Sequence, residues 1–343
     1  MRRIRFLGLL LALLLLVSGC AQSKPAQRQM FAMDTILSFS VYGDKAEAAL
    51  TQVQGYILQL EQTLSVTRQD SDIHKVNRNS GQWVTVSGET LALLDAALEL
   101  CRTTDGALDI TAYPAVKAWG FTTGEYRVPG ADELAELAEK IDYTRLEVDK
   151  SACAVRVPQG MELDLGAVAK GWAGEQLATQ LKAQGIQSAT LSLGGNVQTV
   201  GCKPDGSPWR VGIQDPHSEH GAYLASVSVE DMAVVTSGGY ERYFEQDGVH
   251  YCHIIDPETA IPAQSGLASV TIVGKSGTLC DAYSTALFLM GAEKAAQFWT
   301  SHSSDFDYIL VLDDGSIHIT RGLTDTFLLM EGYKERKVTV IAP

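Results

Sequence analysis

Apolar residues at helical spacing mark several segments of this chain. Leu50, Val53, Ile57 and Leu60 recur every three or four residues, which predicts a helix over 45–62 with one buried face. The same spacing predicts further helices at about 91–101 and 132–141, from the glycine-containing stretch 164–174 to about 183, and at 281–290.

Alternating apolar and polar residues predict strands, as in ILSFSV at 36–41. Other short runs predict extended segments at 83–86, 146–148, 155–157, 161–163, 189–193, 209–213, 224–229, 234–236, 250–256, 268–273, 308–312 and 316–319. Helices and strands are interleaved without a strict βαβ rhythm. The pattern therefore predicts an α+β fold with a mixed sheet, and 343 residues suffice for two lobes around a shared core.

The N-terminus has the pattern of an export signal. Three arginines within the first five residues precede an apolar run over 6–17, which is too short to span a bilayer. The run ends in VSGC, which resembles a bacterial lipobox. We therefore predict a lipoprotein signal peptide at 1–19, lipidation of Cys20 and a polar tether over 20–30. A plain signal peptide followed by an incidental cysteine is the alternative.

The net charge of −14 makes nucleic acid an unfavourable partner and argues against a purely electrostatic hold on an anionic membrane. Membrane attachment would therefore depend on the lipid anchor. The other five cysteines form no CxxC pair, so neither a zinc site nor a disulfide scaffold is predicted. Most are expected to be free and buried, although one disulfide stays open: Cys101, Cys153, Cys202, Cys252 and Cys280.

The stretch DLGAVAKGWAG at 164–174 places glycines in the first turns of a predicted helix, where each costs about 1 kcal/mol relative to alanine. The free N–H groups of a helix N-terminus favour phosphate, and Gly166 would let a ligand approach the main chain. Lys170 could reach the same anion. The alternative is tight helix packing with Lys170 in solvent.

Three further motifs carry polar groups that suit chemistry. Gly194 and Gly195 follow an apolar strand, where they permit either a turn or close ligand approach. Asp281 and Thr285 share one helix face, and their oxygens suit Mg²⁺; an N-cap aspartate is the alternative. His253, close to an Asp-Pro turn, is a candidate general base or a structural histidine.

The ordered succession of motifs resembles the ApbE family, the FAD:protein FMN transferases. The blocks that carry the resemblance are MDT at 33–35, LS with SDIHKVN at 64–77, TDGALDIT with WGF at 104–121, ELDLGAVAKG at 162–171, LGGN at 193–196, VGIQDP at 211–216, TSGGYERYF at 236–244, HIIDP at 253–257 and DAYSTALFLMG at 281–291. Together they span about residues 31–320.

The resemblance implies a two-lobed α+β domain over 31–340, with FAD and Mg²⁺ between the lobes. It implies transfer of FMN from FAD to a threonine of an acceptor protein, such as a membrane redox subunit, with release of AMP. Catalytic roles would fall to His253 and Lys170. Contacts with FAD would come from Met33, Ala107, Leu108, Asp109, Trp119, Asp164, Lys170, Gly194, Gly195, Thr236, Ser237, Gly238 and Ile255. The Mg²⁺ ligands would come from Ala167 (through its carbonyl), Asp281, Ser284 and Thr285.

Three residues depart from the family pattern. Ala260 stands where glycine is usual, Thr67 where an aromatic residue often lies near the flavin, and Cys280 where a smaller residue is usual. Two functional alternatives stay open at this point. The site could hydrolyse FAD to FMN and AMP, or the chain could be a flavin-binding lipoprotein without turnover. A solute-binding lipoprotein would instead need two doubly wound lobes.

Overall fold

The computed structural model of the protein describes residues 24–218 and 221–343. The predicted signal peptide and the predicted lipidation site at Cys20 lie outside the described residues. Within the described ranges, no helix is long and apolar enough to cross a membrane.

Helices and strands are interleaved along the chain. The strands are β1 (Ala26–Ala32), β2 (Thr35–Val41), β3 (Val84–Thr85), β4 (Glu147–Asp149), β5 (Ala154–Arg156), β6 (Ser188–Leu193), β7 (Asn196–Gly201), β8 (Trp209–Gln214), β9 (Tyr223–Val229), β10 (Ala233–Gly238), β11 (Tyr243–Gln246), β12 (Val249–Cys252), β13 (Leu267–Gly274), β14 (Phe306–Leu312), β15 (Ile317–Thr320), β16 (Phe327–Leu329) and β17 (Val338–Ile341). The α-helices are α1 (Ala46–Leu64), α2 (Asp72–Arg78), α3 (Gly88–Thr103), α4 (Tyr113–Ala118), α5 (Ala131–Ala138), α6 (Gly166–Ala183) and α7 (Gly277–His302). Short 3₁₀ turns lie at Tyr143–Arg145, Arg321–Leu323 and Glu331–Tyr333.

A nine-stranded sheet in the order β1-β2-β6-β7-β10-β13-β14-β15-β17 forms the centre of the fold. Its neighbouring strands are antiparallel except for the parallel pair β15 and β17. Small sheets of β16-β9-β8, β3-β5-β4 and β11-β12 complete the strand pairing among the described residues. This mixed architecture agrees with the α+β class that the sequence predicts.

The central sheet is covered on both faces in its β10 to β15 half. Tyr308 and Leu310 of β14 join the core that contains α1, α6 and α7, whereas Ile309 and Val311 join the core formed with the sheet of β8, β9 and β16. Successive strand residues point to opposite faces, so burial of both faces requires a continuous apolar run. The sequence YILVL at 308–312 meets that requirement.

Helices α6 and α7 cross at two glycines. A Cβ atom on Gly171 would overlap the carbonyl oxygen of Gly277, and one on Gly277 would lie 2.6 Å from the carbonyl oxygen of Gly171. Two backbones can approach this closely only where neither residue has a side chain. The helix-propensity cost of Gly171 is therefore explained by packing against α7.

Helix α7 differs from its prediction at its start. Ser276 caps it, with its hydroxyl accepting from the Leu279 N–H at 3.2 Å, so the helix begins before Asp281. The alternative that Asp281 serves as an N-cap is therefore wrong. Gly291, with φ +74°, has a non-helical backbone that separates the first part of α7 from a second helical segment, which ends at His302. The predicted stop at Gly291 is therefore confirmed, and the second segment, with Trp299 buried against the core, follows it.

Three extended segments also differ. The predicted strand at 161–163 is reduced to a bridge between Glu162 and Ala112. The side chain of Asn77 instead bonds the N–H and the carbonyl of Leu163, at 2.7 and 2.8 Å. In the run at 250–256, the strand β12 ends at Cys252, and beyond it only an isolated bridge joins Ile255 to Pro262. In addition, β1 (Ala26–Ala32) overlaps the C-terminal half of the segment 20–30, which is predicted as a tether.

The cysteines of the described ranges are free. Cys101, Cys252 and Cys280 are buried, and Cys153 and Cys202 are half-buried. The expectation of free cysteines is thus confirmed for these five.

Candidate active site

A cavity of about 650 Å³ lies among the β1–β2 turn, the starts of α4 and α6, the end of β10, and α7. This volume is within the range of about 300–1,000 Å³ that is usual for small-molecule sites. Most of the residues predicted from the sequence line it: Met33, Ala107, Leu108, Asp109, Asp164, Ala167, Lys170, Thr236, Ser237, His253, Ile255, Asp281 and Thr285.

Five of the predicted residues do not line the cavity: Trp119, Gly194, Gly195, Gly238 and Ser284. Trp119 is buried, and its Nε1 donates to the carbonyl of Ala260 at 2.8 Å. Gly194 and Gly195, with φ +63° and +97°, form the turn between β6 and β7. Gly238 packs against the ring of Tyr240.

Asp281 is a buried carboxylate held by groups from two other elements. Its Oδ1 accepts from Asn196 Nδ2 at 2.9 Å, and its Oδ2 accepts from the Gly171 N–H at 2.7 Å. Burial raises the pKa of Asp281, while the charge of Lys170 and these hydrogen bonds oppose that rise. The two hydrogen bonds fix the orientation of the Asp281 carboxylate.

A cluster of hydroxyl groups adjoins Asp281. Ser284 Oγ lies 2.8 Å from the Asp281 carbonyl oxygen and 2.7 Å from Ser237 Oγ. Thr285 Oγ1 is 3.3 Å from Ser237 Oγ and lies on the cavity wall. Thr285 thus lines the cavity, while the Ser284 hydroxyl is used within the protein.

The donor set of this region is chemically suited to Mg²⁺. Three oxygen donors of the kind that a hard cation prefers belong to residues of the cavity lining. They are the Asp281 carboxylate, the Thr285 hydroxyl and the backbone carbonyl of Ala167. No group of three or more His, Cys, Asp or Glu side chains that could hold a metal occurs in the described ranges. A metal here would depend on few protein ligands, which Mg²⁺ accepts when waters and phosphate oxygens complete its coordination.

Lys170 and Asp164 face the same cavity from the first turns of α6 and the segment before it. Asp164 Oδ1 accepts from the Gly166 N–H at 2.8 Å. Burial raises the pKa of Asp164, against the charges of Arg242 and Lys170. The packing interpretation of the 164–174 stretch is confirmed for Gly171, which approaches Gly277 of α7. Lys170 lines the cavity, and anion binding by this stretch stays a prediction.

Asp109 also lines the cavity, and both its oxygens are used internally. Oδ1 accepts from the N–H of Thr111 at 2.8 Å and from its hydroxyl at 2.6 Å. Oδ2 accepts from the Tyr143 N–H at 2.9 Å. Burial raises the pKa of Asp109. This carboxylate holds the 107–112 segment in place on the cavity wall.

His253 has one ring nitrogen engaged and the other available. Nδ1 lies 3.2 Å from the carbonyl oxygen of Arg242, a contact that assigns the proton of the neutral ring to Nδ1. Burial, then the charges of Arg242 and Lys170, lower the pKa of His253 to about 3. The imidazole is therefore neutral at pH 7, and Nε2 is free to accept a proton.

The β1–β2 turn that carries Met33 is strained. Met33 and Asp34 have φ +51° and +59°, the left-handed values of a two-residue hairpin turn in which glycine and asparagine are preferred. Glu61 Oε1 accepts from the Met33 N–H at 2.8 Å and stabilises the turn. Such strain is often found at binding sites.

Sequence reasoning did not assign roles to several cavity residues: Asp34, Glu61, Arg68, Asn196, Glu241 and Arg242. Four of them lie within quoted motifs, but nothing in a motif shows which side chains they contact: Asp34, Asn196, Glu241 and Arg242. Glu61 lies 28 residues from its partner Met33, so no local pattern connects them.

Comparison with known proteins decides the family. The model of the ApbE family matches residues 33–310, a range that includes every cavity residue discussed above. This chain belongs to the ApbE family. It is 32% identical to the FAD:protein FMN transferase of Treponema pallidum over 95% of this chain and 96% of that protein. It is also 32% identical to the enzyme of the same name from Vibrio cholerae, over 89% and 93% of the two chains.

Solved structures of ApbE proteins share the fold. The crystal structure of the ApbE protein from Thermotoga maritima superimposes with a TM-score of 0.83 at 31% identity, covering 88% of this chain and 99% of that chain. The apo crystal structure of the flavinyl transferase ApbE of Pseudomonas stutzeri superimposes with a TM-score of 0.77 at 29% identity, covering 91% of this chain and 96% of that chain. The cavity of this chain therefore belongs to an ApbE fold that is present almost in full.

Proposed function

We propose that this protein transfers FMN from FAD to a threonine hydroxyl of an acceptor protein, with Mg²⁺ as cofactor and AMP as the second product. The observation that carries the proposal is that Asp281, Lys170 and His253 line one cavity. They supply a fixed carboxylate, a cation and a neutral imidazole. Membership of the ApbE family supports the choice of FAD as substrate.

The chemistry follows from where these groups lie. FAD binds with its pyrophosphate facing Lys170, whose charge stabilises the negative charge that develops during transfer. His253 accepts the proton of the threonine hydroxyl at Nε2 as the hydroxyl oxygen bonds to the phosphorus on the FMN side. The bond from that phosphorus to the bridging oxygen breaks, and AMP leaves with that oxygen. One proton and one phosphoryl group are therefore moved, and no redox change occurs.

Asp281, Thr285 and the Ala167 carbonyl would hold Mg²⁺, and Asn196 would keep Asp281 oriented towards it. Bound there, Mg²⁺ supplies charge neutralisation to the pyrophosphate. Ser284 supports this group rather than binding the metal in our proposal, because its hydroxyl is used by Asp281 and Ser237.

Hydrolysis of FAD would use the same groups, with water in place of threonine. A flavin-binding lipoprotein without turnover is less well supported. Storage requires neither a neutral imidazole on the cavity wall nor an oriented buried carboxylate. A solute-binding lipoprotein is not supported, since the antiparallel sheet differs from two doubly wound lobes.

In-gel flavin fluorescence tests the proposal. The full-length protein in detergent is incubated with FAD, Mg²⁺ and a redox-subunit domain that contains an acceptor threonine. The matched control is the same domain with that threonine replaced by valine. We expect a covalently fluorescent band only with threonine and only without EDTA. Release of AMP and FMN without a fluorescent band would support the hydrolase instead.

We further propose that the protein is exported and anchored to the membrane by lipid on Cys20, which would bring the cavity to acceptors in the same membrane. The N-terminal sequence pattern supports this proposal. Cell fractionation of the wild type and of Cys20→Ser tests it. We expect the wild type in the membrane fraction and the variant released. Equal membrane retention of both would contradict lipid anchoring at Cys20.

A further inference from the structure

Arg242 and Asp34 meet at the solvent-facing rim of the cavity. Arg242 Nη1 lies 3.7 Å from Asp34 Oδ2, and both residues line the cavity. Asp34 belongs to the strained β1–β2 turn, whereas Arg242 follows β10. The side chains are 52% and 82% exposed. Because the same Arg242 accepts from His253 through its carbonyl oxygen, its backbone is fixed beside the candidate base.

This ion pair is a weak one. At such exposure an ion pair contributes little to stability, and 3.7 Å is too long for a charge-assisted hydrogen bond. Asp164 and Glu241 also face the guanidinium, but among the described residues neither forms an ion pair with it within 4.0 Å. The Arg242 guanidinium therefore lines the cavity without a strong partner among residues 24–218 and 221–343.

We infer that Arg242 is a phosphate-binding residue of this site, whose guanidinium exchanges Asp34 for a pyrophosphate oxygen when FAD enters. The planar guanidinium binds phosphate through two parallel hydrogen bonds, an arrangement much stronger than a long exposed ion pair. The inference rests on the proposed function for the identity of the ligand. It adds a second cation to Lys170, on the side of the cavity next to His253.

The exchange has a consequence for Asp34. In the free protein its carboxylate competes with the incoming phosphate for the same guanidinium. Removing that charge should therefore raise the affinity for FAD, but only while Arg242 is present. Asparagine is the suitable replacement because it tolerates the left-handed backbone of position 34.

Isothermal titration calorimetry on the full-length protein in detergent tests the phosphate contact, with FAD, ADP and riboflavin as probes. We expect Arg242→Ala to weaken the affinities for FAD and ADP about 10- to 100-fold and to leave the affinity for riboflavin unchanged. Arg242→Lys should restore only part of the loss. Arg127→Ala is the matched control, since Arg127 forms an exposed ion pair with Glu133 outside the cavity. It should change none of the three affinities.

A double-mutant cycle tests the exchange. We expect Asp34→Asn to raise FAD affinity about two- to fivefold in the wild type and to have no effect in Arg242→Ala. The same rise in both backgrounds would mean that Asp34 only repels FAD directly, and would overturn the exchange. Unchanged FAD and ADP affinity in Arg242→Ala would overturn the phosphate contact alone. Failure of the wild type to bind FAD would overturn the proposed function as well.

Discussion

The backbone N–H of Gly171 donates to Asp281 Oδ2 at 2.7 Å, at the point where α6 and α7 approach most closely. This contact connects packing with chemistry. The absence of a side chain at position 171 lets the helices meet, and their meeting places a backbone donor on the carboxylate proposed to hold the metal. Of the glycines in the DLGAVAKGWAG stretch, Gly171 is thus required by the site, because it allows α6 and α7 to pack closely.

Substitution of Gly171 by alanine should damage both packing and metal binding. The new Cβ would overlap the Gly277 carbonyl and lie 2.6 Å from Asp281 Cβ, so the helices must move apart. We expect a loss of about 1–3 kcal/mol in the free energy of unfolding and weaker Mn²⁺ binding, measured by urea denaturation and electron paramagnetic resonance. Gly55→Ala in α1 is the control. Its Cβ meets no atom within 4 Å, so it should stabilise the protein by up to about 1 kcal/mol. Equal stability of Gly171→Ala and wild type would contradict the packing argument.

Removal of the cation at Lys170 should slow the reaction while the fold survives. Loss of a preorganised group that stabilises the transition state typically lowers kcat by about 10²–10³-fold. We expect a fall of that size in Lys170→Ala with little change in thermal stability. Lys182→Ala is the matched control, since Lys182 lies on the same helix and forms an exposed ion pair with Asp231 away from the cavity. This variant should keep wild-type turnover. Unchanged kinetics in Lys170→Ala would remove this residue from the mechanism.

The depressed pKa of His253 predicts an acid-dependent loss of stability. The unfolded chain binds a proton at this residue near pH 6.5, whereas the folded protein does so only near pH 3. Stability from this group is therefore present above about pH 6.5 and is lost as the pH falls towards 3. Between pH 7 and pH 4.5, the free energy of unfolding should fall further in wild type than in His253→Gln. Equal losses in urea denaturation would show that His253 titrates normally.

Ala260 should respond to glycine differently from other buried alanines. It has φ +58°, which costs a non-glycine residue about 1–2 kcal/mol, although its methyl group is buried. Relief of this strain should offset the lost methyl, about 0.8 kcal/mol, so Ala260→Gly should not destabilise the protein. Ala178→Gly, at a buried helical position, should cost about 2 kcal/mol. Both values can be measured by urea denaturation. A loss at position 260 as large as that at 178 would contradict the strain.

Much of the fold could be predicted from periodicity. The apolar spacing that predicts α1 and the alternation that predicts β2 are local signals, and the structure contains both elements close to the expected bounds. The reduction of the predicted strand at 161–163 to a bridge at Glu162 could not be predicted. The backbone N–H and carbonyl of Leu163 bond the side chain of Asn77, which lies 86 residues away in the sequence. Nor could β1 be predicted, because its half-polar sequence has the composition of a tether.

The candidate site shows the same limit. The motifs bring Lys170, His253 and Asp281 to one cavity as expected from family resemblance. The partners that orient these groups come from distant elements, as when Asn196 of β7 bonds Asp281 of α7. Trp119, although it lies in a quoted motif, packs under Ala260 instead of lining the cavity. A motif therefore identifies which residues recur, and the fold decides which of them face the ligand.

The most direct test of the account is intact-mass spectrometry of an acceptor domain incubated with the full-length protein, FAD and Mg²⁺. We predict a mass gain of one FMN less one water, located on a threonine and lost with EDTA and with Asp281→Ala. Its matched control, Asp205→Ala, removes an exposed turn aspartate outside the cavity and should leave the gain intact. An unmodified acceptor, with stoichiometric release of FMN and AMP, would contradict transfer and leave FAD hydrolysis as the activity of this site.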